Sequence, residues 1–163
     1  MLLDDTHPGC AKYYAIFLHA RADYMGQFQW IKDAFRIKTA WQKALELNPG
    51  EGTISRSLGI WHYTVANWSW MQRKVACAMY VNPPTSSIPE ALRYFLDAEG
   101  KIGRAAALNS FDIARCYAKM NKGAQAKKYL DECLASIDEG CEIEQAKQAA
   151  VALYQELETA KCF

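Results

Sequence analysis

The residues best suited to metal binding or nucleophilic catalysis are three histidines and six cysteines. Zinc sites gather their ligands in closely spaced pairs, and no two of these cysteines have the Cys-x-x-Cys spacing. The sequence also lacks Gly-x-Ser-x-Gly, a glycine-rich phosphate loop and His-Glu-x-x-His. We therefore predict a protein that is not an enzyme and has no catalytic, cofactor-binding or metal-binding residues. The cysteines are predicted to be free thiols in a reducing compartment: Cys10, Cys77, Cys116, Cys133, Cys141 and Cys162.

Two further features could serve a ligand or could fill a core. His62 lies in the middle of an aromatic segment, where it is either a core or groove-lining side chain or a catalytic base, and the surroundings favour the first. A group of aromatic residues could form a ligand cage, but its spacing is more typical of side chains that hold an extra helix onto a core. We predict this packing role for Trp61, Trp68, Trp70 and Tyr80.

Charge is distributed unevenly, although the formal net charge is only +1. Residues 101–128 contain seven basic residues and one acid, whereas residues 129–163 contain eight acids and two lysines. The overall balance gives no bulk attraction to nucleic acid or to an anionic membrane, so neither is a predicted partner. The basic stretch is either a set of solvated helix faces that pair with their neighbours or a patch that attracts an acidic partner. The lysines that would distinguish the two are Lys119, Lys122, Lys127 and Lys128.

The elements that carry these residues are predicted to be helices throughout. Helical periodicity dominates, and no convincing stretch shows the alternating pattern of a β-strand. Short breakers such as Asn48-Pro49-Gly50 and Asn82-Pro83-Pro84 separate the helical segments. None of them is long enough to be a flexible linker, so we predict one all-α domain over residues 1–163.

The helical segments recur as pairs in which small residues lie where two helices come close. In the clearest pair, Ile113-Ala114 and Tyr117 lie on the first helix, and Ala126, Leu130 and Cys133 lie on the second. This spacing resembles that of a tetratricopeptide repeat of about 34 residues. In a second pair, Leu58-Gly59 begins the same pattern, but its partner helix comes about 20 residues later than in a standard repeat.

We therefore predict a tetratricopeptide-like helical-hairpin solenoid, an α-α superhelix, with two enlarged repeats. The first pair has extended helices, the second contains a helical insertion and the third is standard; a capping helix closes the C-terminal end. At the other end the aromatic segment Tyr13–Leu18 lacks a cap. Either the first residues fold back over it or an upstream helix pair is missing, and we favour the missing pair. The predicted ranges are 8–49, 53–99 and 102–140 for the pairs and 142–159 for the cap.

The first helix of each pair lines the concave groove of such a solenoid, which usually holds an extended peptide. Arginine and lysine in the groove can bind carboxylates through charge-assisted hydrogen bonds, which makes an acidic segment a plausible occupant. The C-terminal helix could occupy the groove instead. The predicted groove residues are Lys12, His19, Arg56, Tyr63, Phe111 and Arg115.

An ordered series of segments is more specific than the repeat pattern: Gly9–Ala15, Ala22–Gly26, Ala44–Pro49, Leu58–Val65, Trp70–Lys74, Pro83–Ser87 and Glu90–Glu99. From residue 9 to residue 134 this series resembles the regulator of microtubule dynamics family, whose tetratricopeptide-like domain carries the same insertions. The resemblance implies a non-catalytic, microtubule-associated protein of the cytoplasm and cytoskeleton that acts at spindle poles and in chromosome segregation. Some members carry an N-terminal membrane anchor, and this sequence shows none.

Microtubules or tubulin are the partner that the resemblance implies. The alternative is a tetratricopeptide-type peptide-binding adaptor that meets microtubules only indirectly, with spindle or kinetochore proteins in its concave groove. In either case basic side chains would contact acidic surfaces. The predicted partner-binding residues are Lys12, Arg56, Tyr63, Arg115, Lys119, Lys122, Lys127 and Lys128.

Overall fold

The structure, a computed structural model, describes residues 7–103 and 106–160. Within these ranges the chain forms α-helices and no β-strand, which confirms the predicted all-α fold class. Residues 1–6, Arg104, Lys161 and Cys162, about which the sequence made predictions, lie outside the described residues. The helices are α1 (Pro8–Met25), α2 (Gln27–Leu47), α3 (Gly52–Ala66), α4 (Trp70–Met79), α5 (Ile88–Ala98), α6 (Ala106–Lys119), α7 (Gly123–Ala135) and α8 (Cys141–Thr159).

Side-chain caps fix where two of the central helices begin. At the start of α4, Ser69 Oγ accepts a hydrogen bond from the Gln72 N–H at 3.2 Å, and the Ser69 N–H donates to Gln72 Oε1 at 2.7 Å. This reciprocal pair is a capping box. At the start of α5, Ser87 Oγ accepts from the Glu90 N–H at 3.3 Å, and Pro89 lies in the first turn. Both caps satisfy N–H groups that the helix itself leaves unpaired.

The helices pack as successive pairs: α1 with α2, α3 with α5, and α6 with α7. The short helix α4 lies in the chain between α3 and α5 and packs against α2. Contacts between α2 and α3 and between α5 and α6 join one pair to the next, and α8 packs against both α6 and α7. This arrangement is compatible with a helical solenoid, and the repeat boundaries given above remain a prediction.

The pair of α3 and α5 approaches most closely at Gly59. A Cβ atom at this position would lie 2.6 Å from ring atoms of Phe95, which is fully buried. Gly52, in the first turn of α3, is similarly close to another part of the chain, since a Cβ there would lie 2.8 Å from the carbonyl carbon of Lys101. Glycine at both positions is therefore required by packing.

Buried apolar side chains form two clusters along the chain. The first draws on α1 to α4 and includes Ile37 and Leu58, both with no exposed surface. The second draws on α5 to α8 and includes Ile113 and Leu130, which are equally buried. None of the helices in the described part of the chain is long and apolar enough to cross a membrane.

Aromatic side chains attach α3 and the segment around α4 to α2, as predicted for most of them. Trp61 Nε1 donates a hydrogen bond to the Ala34 carbonyl at 2.8 Å. Trp68 packs edge-on against Trp30 with ring centroids 6.0 Å apart, and the Tyr80 hydroxyl donates to backbone carbonyls of α2. The polar tips of Trp61 and Tyr80 thus find backbone acceptors while their rings are buried or half-buried.

The packing prediction is wrong for Trp70. Its side chain is 67% exposed, and the Lys74 ammonium lies 4.7 Å from the centre of one of its rings. The physical reason is that α4 buries very little of its own surface: Ala76 is its one fully buried residue. Trp70, as the first residue of this helix, lies outside that narrow contact and interacts with a cation on its own helix instead.

The five cysteines in the described part of the chain are free thiols, as predicted. Burial raises the pKa of the Cys116 thiol to about 12 and also raises the pKa of Cys133. Both groups therefore stay protonated at neutral pH and act as small core side chains.

Candidate functional site

Two of the predicted groove arginines converge on one aspartate. Arg56 of α3 places Nη2 2.8 Å from Asp112 Oδ2, and Arg115 of α6 places Nη2 2.6 Å from Asp112 Oδ1. The Asp112 side chain is 3% exposed, whereas the arginine side chains are 22% and 28% exposed. We refer to Arg56, Asp112 and Arg115 as the arginine–aspartate cluster. It links the first helices of two neighbouring pairs.

Two aromatic rings also contact the guanidinium group of Arg115. Its guanidinium lies 4.0 Å from the centre of the Tyr63 ring and 5.8 Å from the centre of the Phe111 ring. Burial raises the pKa of the Tyr63 hydroxyl, and the charge of Arg115 opposes that shift. Four of the predicted groove residues therefore form one contact network, in which Arg115 is oriented by ion pairing and by cation–π contacts together.

Asp112 is the residue of this site that sequence reasoning missed as a site residue. Burial raises the pKa of its carboxyl, and the two guanidinium groups oppose the shift. An ionised Asp112 leaves the cluster with a net charge of one instead of two, so the groove is less basic than its arginines suggest. Its position three residues before Arg115 on one helix was the available signal.

A cavity of about 390 Å³ opens beside the arginine–aspartate cluster. Tyr63, Arg115 and Lys119 line one side of it, and Leu153 and Glu156 of α8 line the other. The C-terminal helix therefore forms one wall of this cavity. The cavity offers both cations and an acid, so a bound segment would meet Arg115 and Lys119 on one side and Glu156 on the other.

The other two predicted groove residues, Lys12 and His19, interact elsewhere. Lys12 forms an ion pair with Glu51, the residue just before α3, and this contact lowers the pKa of the Glu51 carboxyl. His19 Nδ1 accepts a hydrogen bond from Trp41 Nε1 at 3.2 Å, and burial lowers the pKa of His19. These contacts connect α1 to its neighbours, and neither residue contacts the arginine–aspartate cluster.

The four lysines of the predicted basic patch fall into two kinds. Lys127 donates a hydrogen bond to the Tyr154 hydroxyl, and Lys128 lies 3.7 Å from Glu132. Lys119 and Lys122 are exposed, and in the described part of the chain no acidic side chain lies within ion-pair distance of them. Two of the four lysines are therefore engaged within the protein and two are exposed, and attraction of an acidic partner stays a prediction.

His62 does not have the geometry of a catalytic base. Its Nδ1 lies 2.8 Å from Ser86 Oγ and 3.5 Å from Glu90 Oε2, so serine and carboxylate share one ring nitrogen. A charge relay requires them on opposite nitrogens. The ring is stacked on Tyr94, and burial lowers the pKa of His62 to about 4. His62 is a neutral core side chain at neutral pH, and no group of metal-ligating side chains is present among the described residues.

The sequence of the chain is similar to those of proteins in one known family. A sequence profile described as Regulator of microtubule dynamics protein 1-3 matches residues 1–158. A Mus musculus protein named Regulator of microtubule dynamics protein 1 is 39% identical over 119 residues, which cover 73% of this chain and 39% of that protein. A Xenopus laevis protein named Regulator of microtubule dynamics protein 3 is 34% identical over 126 residues, covering 77% and 27%. The Homo sapiens protein 1 is 36% identical over 119 residues, covering 73% and 38%.

The matched regions cover only part of these relatives. The chain spans about two fifths or less of the length of each of the three. The function of the full-length relatives is therefore assigned to this chain only as a proposal.

Proposed function

Because the chain belongs to the regulator of microtubule dynamics family, we propose that it is a non-catalytic protein that binds microtubules or tubulin. We place its role in spindle organisation and chromosome segregation, in the cytoplasm and at the spindle poles. The observation that carries this proposal is the family match over residues 1–158, supported by relatives that are named Regulator of microtubule dynamics.

The proposed contact is electrostatic and centres on the third helix pair. Lys119 and Lys122 are exposed at the end of α6 and the start of α7, next to the cavity that Arg115 lines. The surface and the C-terminal tails of tubulin are acidic, so lysines without an internal partner are the charges that a microtubule would attract most. Lys127 and Lys128 contribute less, because each already contacts a side chain of its own protein.

A second candidate function is a peptide-binding adaptor, and the cavity beside the arginine–aspartate cluster favours it. A cavity of about 390 Å³ with an aromatic wall and two cations can hold side chains of an acidic segment. On this proposal spindle or kinetochore proteins bind in the groove, and association with microtubules is indirect. The two proposals predict different behaviour with purified tubulin, since an adaptor needs its partner to reach the polymer.

Co-sedimentation of the purified chain with polymerised tubulin tests both proposals. Binding should decrease several-fold between low and physiological salt, because salt screens contacts between exposed charges. Lys119→Glu with Lys122→Glu should weaken pelleting by tenfold or more. The matched control is Lys32→Glu with Lys74→Glu, which makes the same change in net charge on exposed positions of α2 and α4 and should leave pelleting nearly unchanged.

The outcomes separate the alternatives. Pelleting that persists unchanged in high salt and on microtubules stripped of their tails would refute the electrostatic mode. No pelleting with tubulin alone, restored by a spindle extract, would favour the adaptor. Loss of spindle-pole localisation in cells carrying the Lys119 and Lys122 reversal, with normal protein levels, would connect the surface to the proposed role.

A further inference from the structure

The outer side of the first helix pair exposes several aromatic side chains. Tyr13, Tyr14 and Phe17 of α1 are 61%, 48% and 70% exposed, and Phe35 of α2 is 40% exposed. With roughly 150–250 Å² for each aromatic side chain, these four together leave about 400 Å² exposed. Patches of this size on a soluble protein mark interaction sites more often than chance.

A groove of about 570 Å³ runs between α1 and α2 next to these rings, and we call it the outer groove. Ala11 and Ala40 are among its lining residues, so its lining contains small side chains that let another backbone come close. Tyr14 and Phe35 provide apolar walls, and the charged residues that line it are Arg36 and Lys43. The outer groove is thus apolar inside and cationic at its edge.

The opposite end of the protein shows what such a groove can hold. There the amphipathic helix α8 packs against both helices of the pair α6 and α7. It buries residues spaced three, four and seven positions apart, namely Ile143, Ala146, Ala150 and Leu157. A helix pair of this protein therefore accepts an amphipathic helix against both of its members. In the described part of the chain, the outer groove of α1 and α2 is lined by residues of these two helices alone.

The charges on this side determine what kind of helix fits. Asp33 is buried and already pairs with Arg21 and with Arg36, whose Nη1 lies 3.2 Å from Asp33 Oδ1. One carboxylate thus faces two guanidinium groups, and Lys43 adds a further exposed cation that is in no ion pair among the described residues. The surroundings of the outer groove therefore carry a surplus of positive charge.

We propose that the outer groove docks an amphipathic helix of a partner protein, whose apolar stripe enters between α1 and α2 and whose flanking acidic residues face Arg36 and Lys43. This proposal is independent of the microtubule surface, which lies on α6 and α7. The binding mode is the insertion of a helix into a groove, in which apolar side chains one turn apart provide the anchor.

A second copy of the chain fits this surface less well. Two such surfaces brought together would oppose like charges at Arg36 and Lys43. The exposed aromatic area of about 400 Å² is also about half of the roughly 800 Å² per partner that a standard stable interface buries. Area and charge both favour a single helix.

The test uses two synthetic 18-residue helical peptides with the same leucine stripe, one flanked by glutamates and the other by lysines. Fluorescence anisotropy of the labelled peptides against the full chain should give at least tenfold tighter binding for the acidic peptide. Tyr13→Ser with Phe17→Ser should weaken that binding by tenfold or more. Both residues are exposed, so the variant is expected to fold.

Two further variants make the result specific. Lys43→Glu should reduce the preference for the acidic peptide by several-fold, since it reverses one edge charge. Ile137→Ser with Val151→Ser removes two exposed apolar side chains elsewhere, 94% and 44% exposed, and should change nothing. Equal binding of both peptides, no binding of either, or equal losses in the control would overturn the proposal. So would a dimer in sedimentation equilibrium that the Tyr13 and Phe17 substitutions dissociate, or a longer form of the protein whose preceding residues cover the outer groove and abolish binding of the acidic peptide.

Discussion

Gly59→Ala is expected to destabilise the protein although alanine is the better helix former. The new methyl group would lie 2.6 Å from Cδ1 and Cε1 of the Phe95 ring. Because Phe95 is fully buried, the ring cannot relieve this contact by moving into solvent. Overpacking of this kind costs about 1–3 kcal/mol. The gain from replacing a helical glycine offsets about 0.5–1 kcal/mol of that cost. The net expectation is a loss of about 1–2 kcal/mol in the free energy of unfolding.

Urea denaturation followed by circular dichroism measures this loss directly. A decrease of this size corresponds to a fall of about 3–6 °C in the melting temperature for a domain of this length. The matched control is Gly50→Ala in the loop before α3, since a Cβ atom at Gly50 would have no neighbouring atom within 4 Å. We expect this control to stay within about 0.5 kcal/mol of the parent protein.

A double-mutant cycle identifies the contact itself. Phe95→Leu removes the ring that the new methyl group meets, so Gly59→Ala should cost at least about 1 kcal/mol less in that background. If Gly59→Ala unfolds at the same urea concentration as the parent protein, with the same slope, the close approach of α3 and α5 at this residue is refuted.

Two further predictions concern buried polar groups. Burial lowers the pKa of His62 to about 4, while the unfolded chain takes up that proton near pH 6.5. The stability that His62 contributes is therefore complete above pH 6.5 and is lost as the pH falls toward 4, at up to about 1.4 kcal/mol per pH unit. Urea titrations of His62→Gln should show a flatter decline over this range, and an unchanged decline would contradict the assignment. Asp112→Asn should lower the free energy of unfolding by about 1–3 kcal/mol, because Arg56 and Arg115 lose the carboxylate they share. Asp131→Asn, on an exposed position of α7, is its control, and equal losses in both variants would show that the arginine–aspartate cluster is not a stabilising unit.

Much of the helical framework could be predicted because its signals are local. Periodic apolar residues require a buried stripe on each helix, and breakers such as Asn82-Pro83-Pro84 end one helix before the next begins. The small residue of the Leu58-Gly59 pair lies where α3 meets α5, as helix packing requires. Counting along the first helices also placed Arg56, Tyr63 and Arg115 on one surface, where the structure brings them into contact.

The remaining features depend on how elements meet and could not be predicted from spacing. Trp70 is exposed because few residues of α4 are buried against the rest of the protein. Residue spacing alone does not show how many residues of a helix are buried by its neighbours. Lys127 and Lys119 look alike in the sequence, but in the structure Lys127 donates a hydrogen bond to Tyr154 of α8, whereas Lys119 lines the cavity beside α8. Their different roles are a property of tertiary packing.

The same distinction between local and tertiary features applies to the proposed attraction of an acidic partner. Arg56 and Arg115 are the strongest carboxylate-binding groups in the groove, yet Asp112 occupies one side of each. The exposed N–H groups of both arginines can still donate hydrogen bonds to a partner. Breaking their ion pairs with Asp112, however, would cost more free energy than a new ion pair at the surface would supply. On the proposed electrostatic contact, Lys119 and Lys122 supply the long-range attraction, while the arginine–aspartate cluster fixes the positions of its three side chains. Affinity for an acidic surface should accordingly follow the number of exposed lysines without internal partners and not the total count of basic residues in the third helix pair.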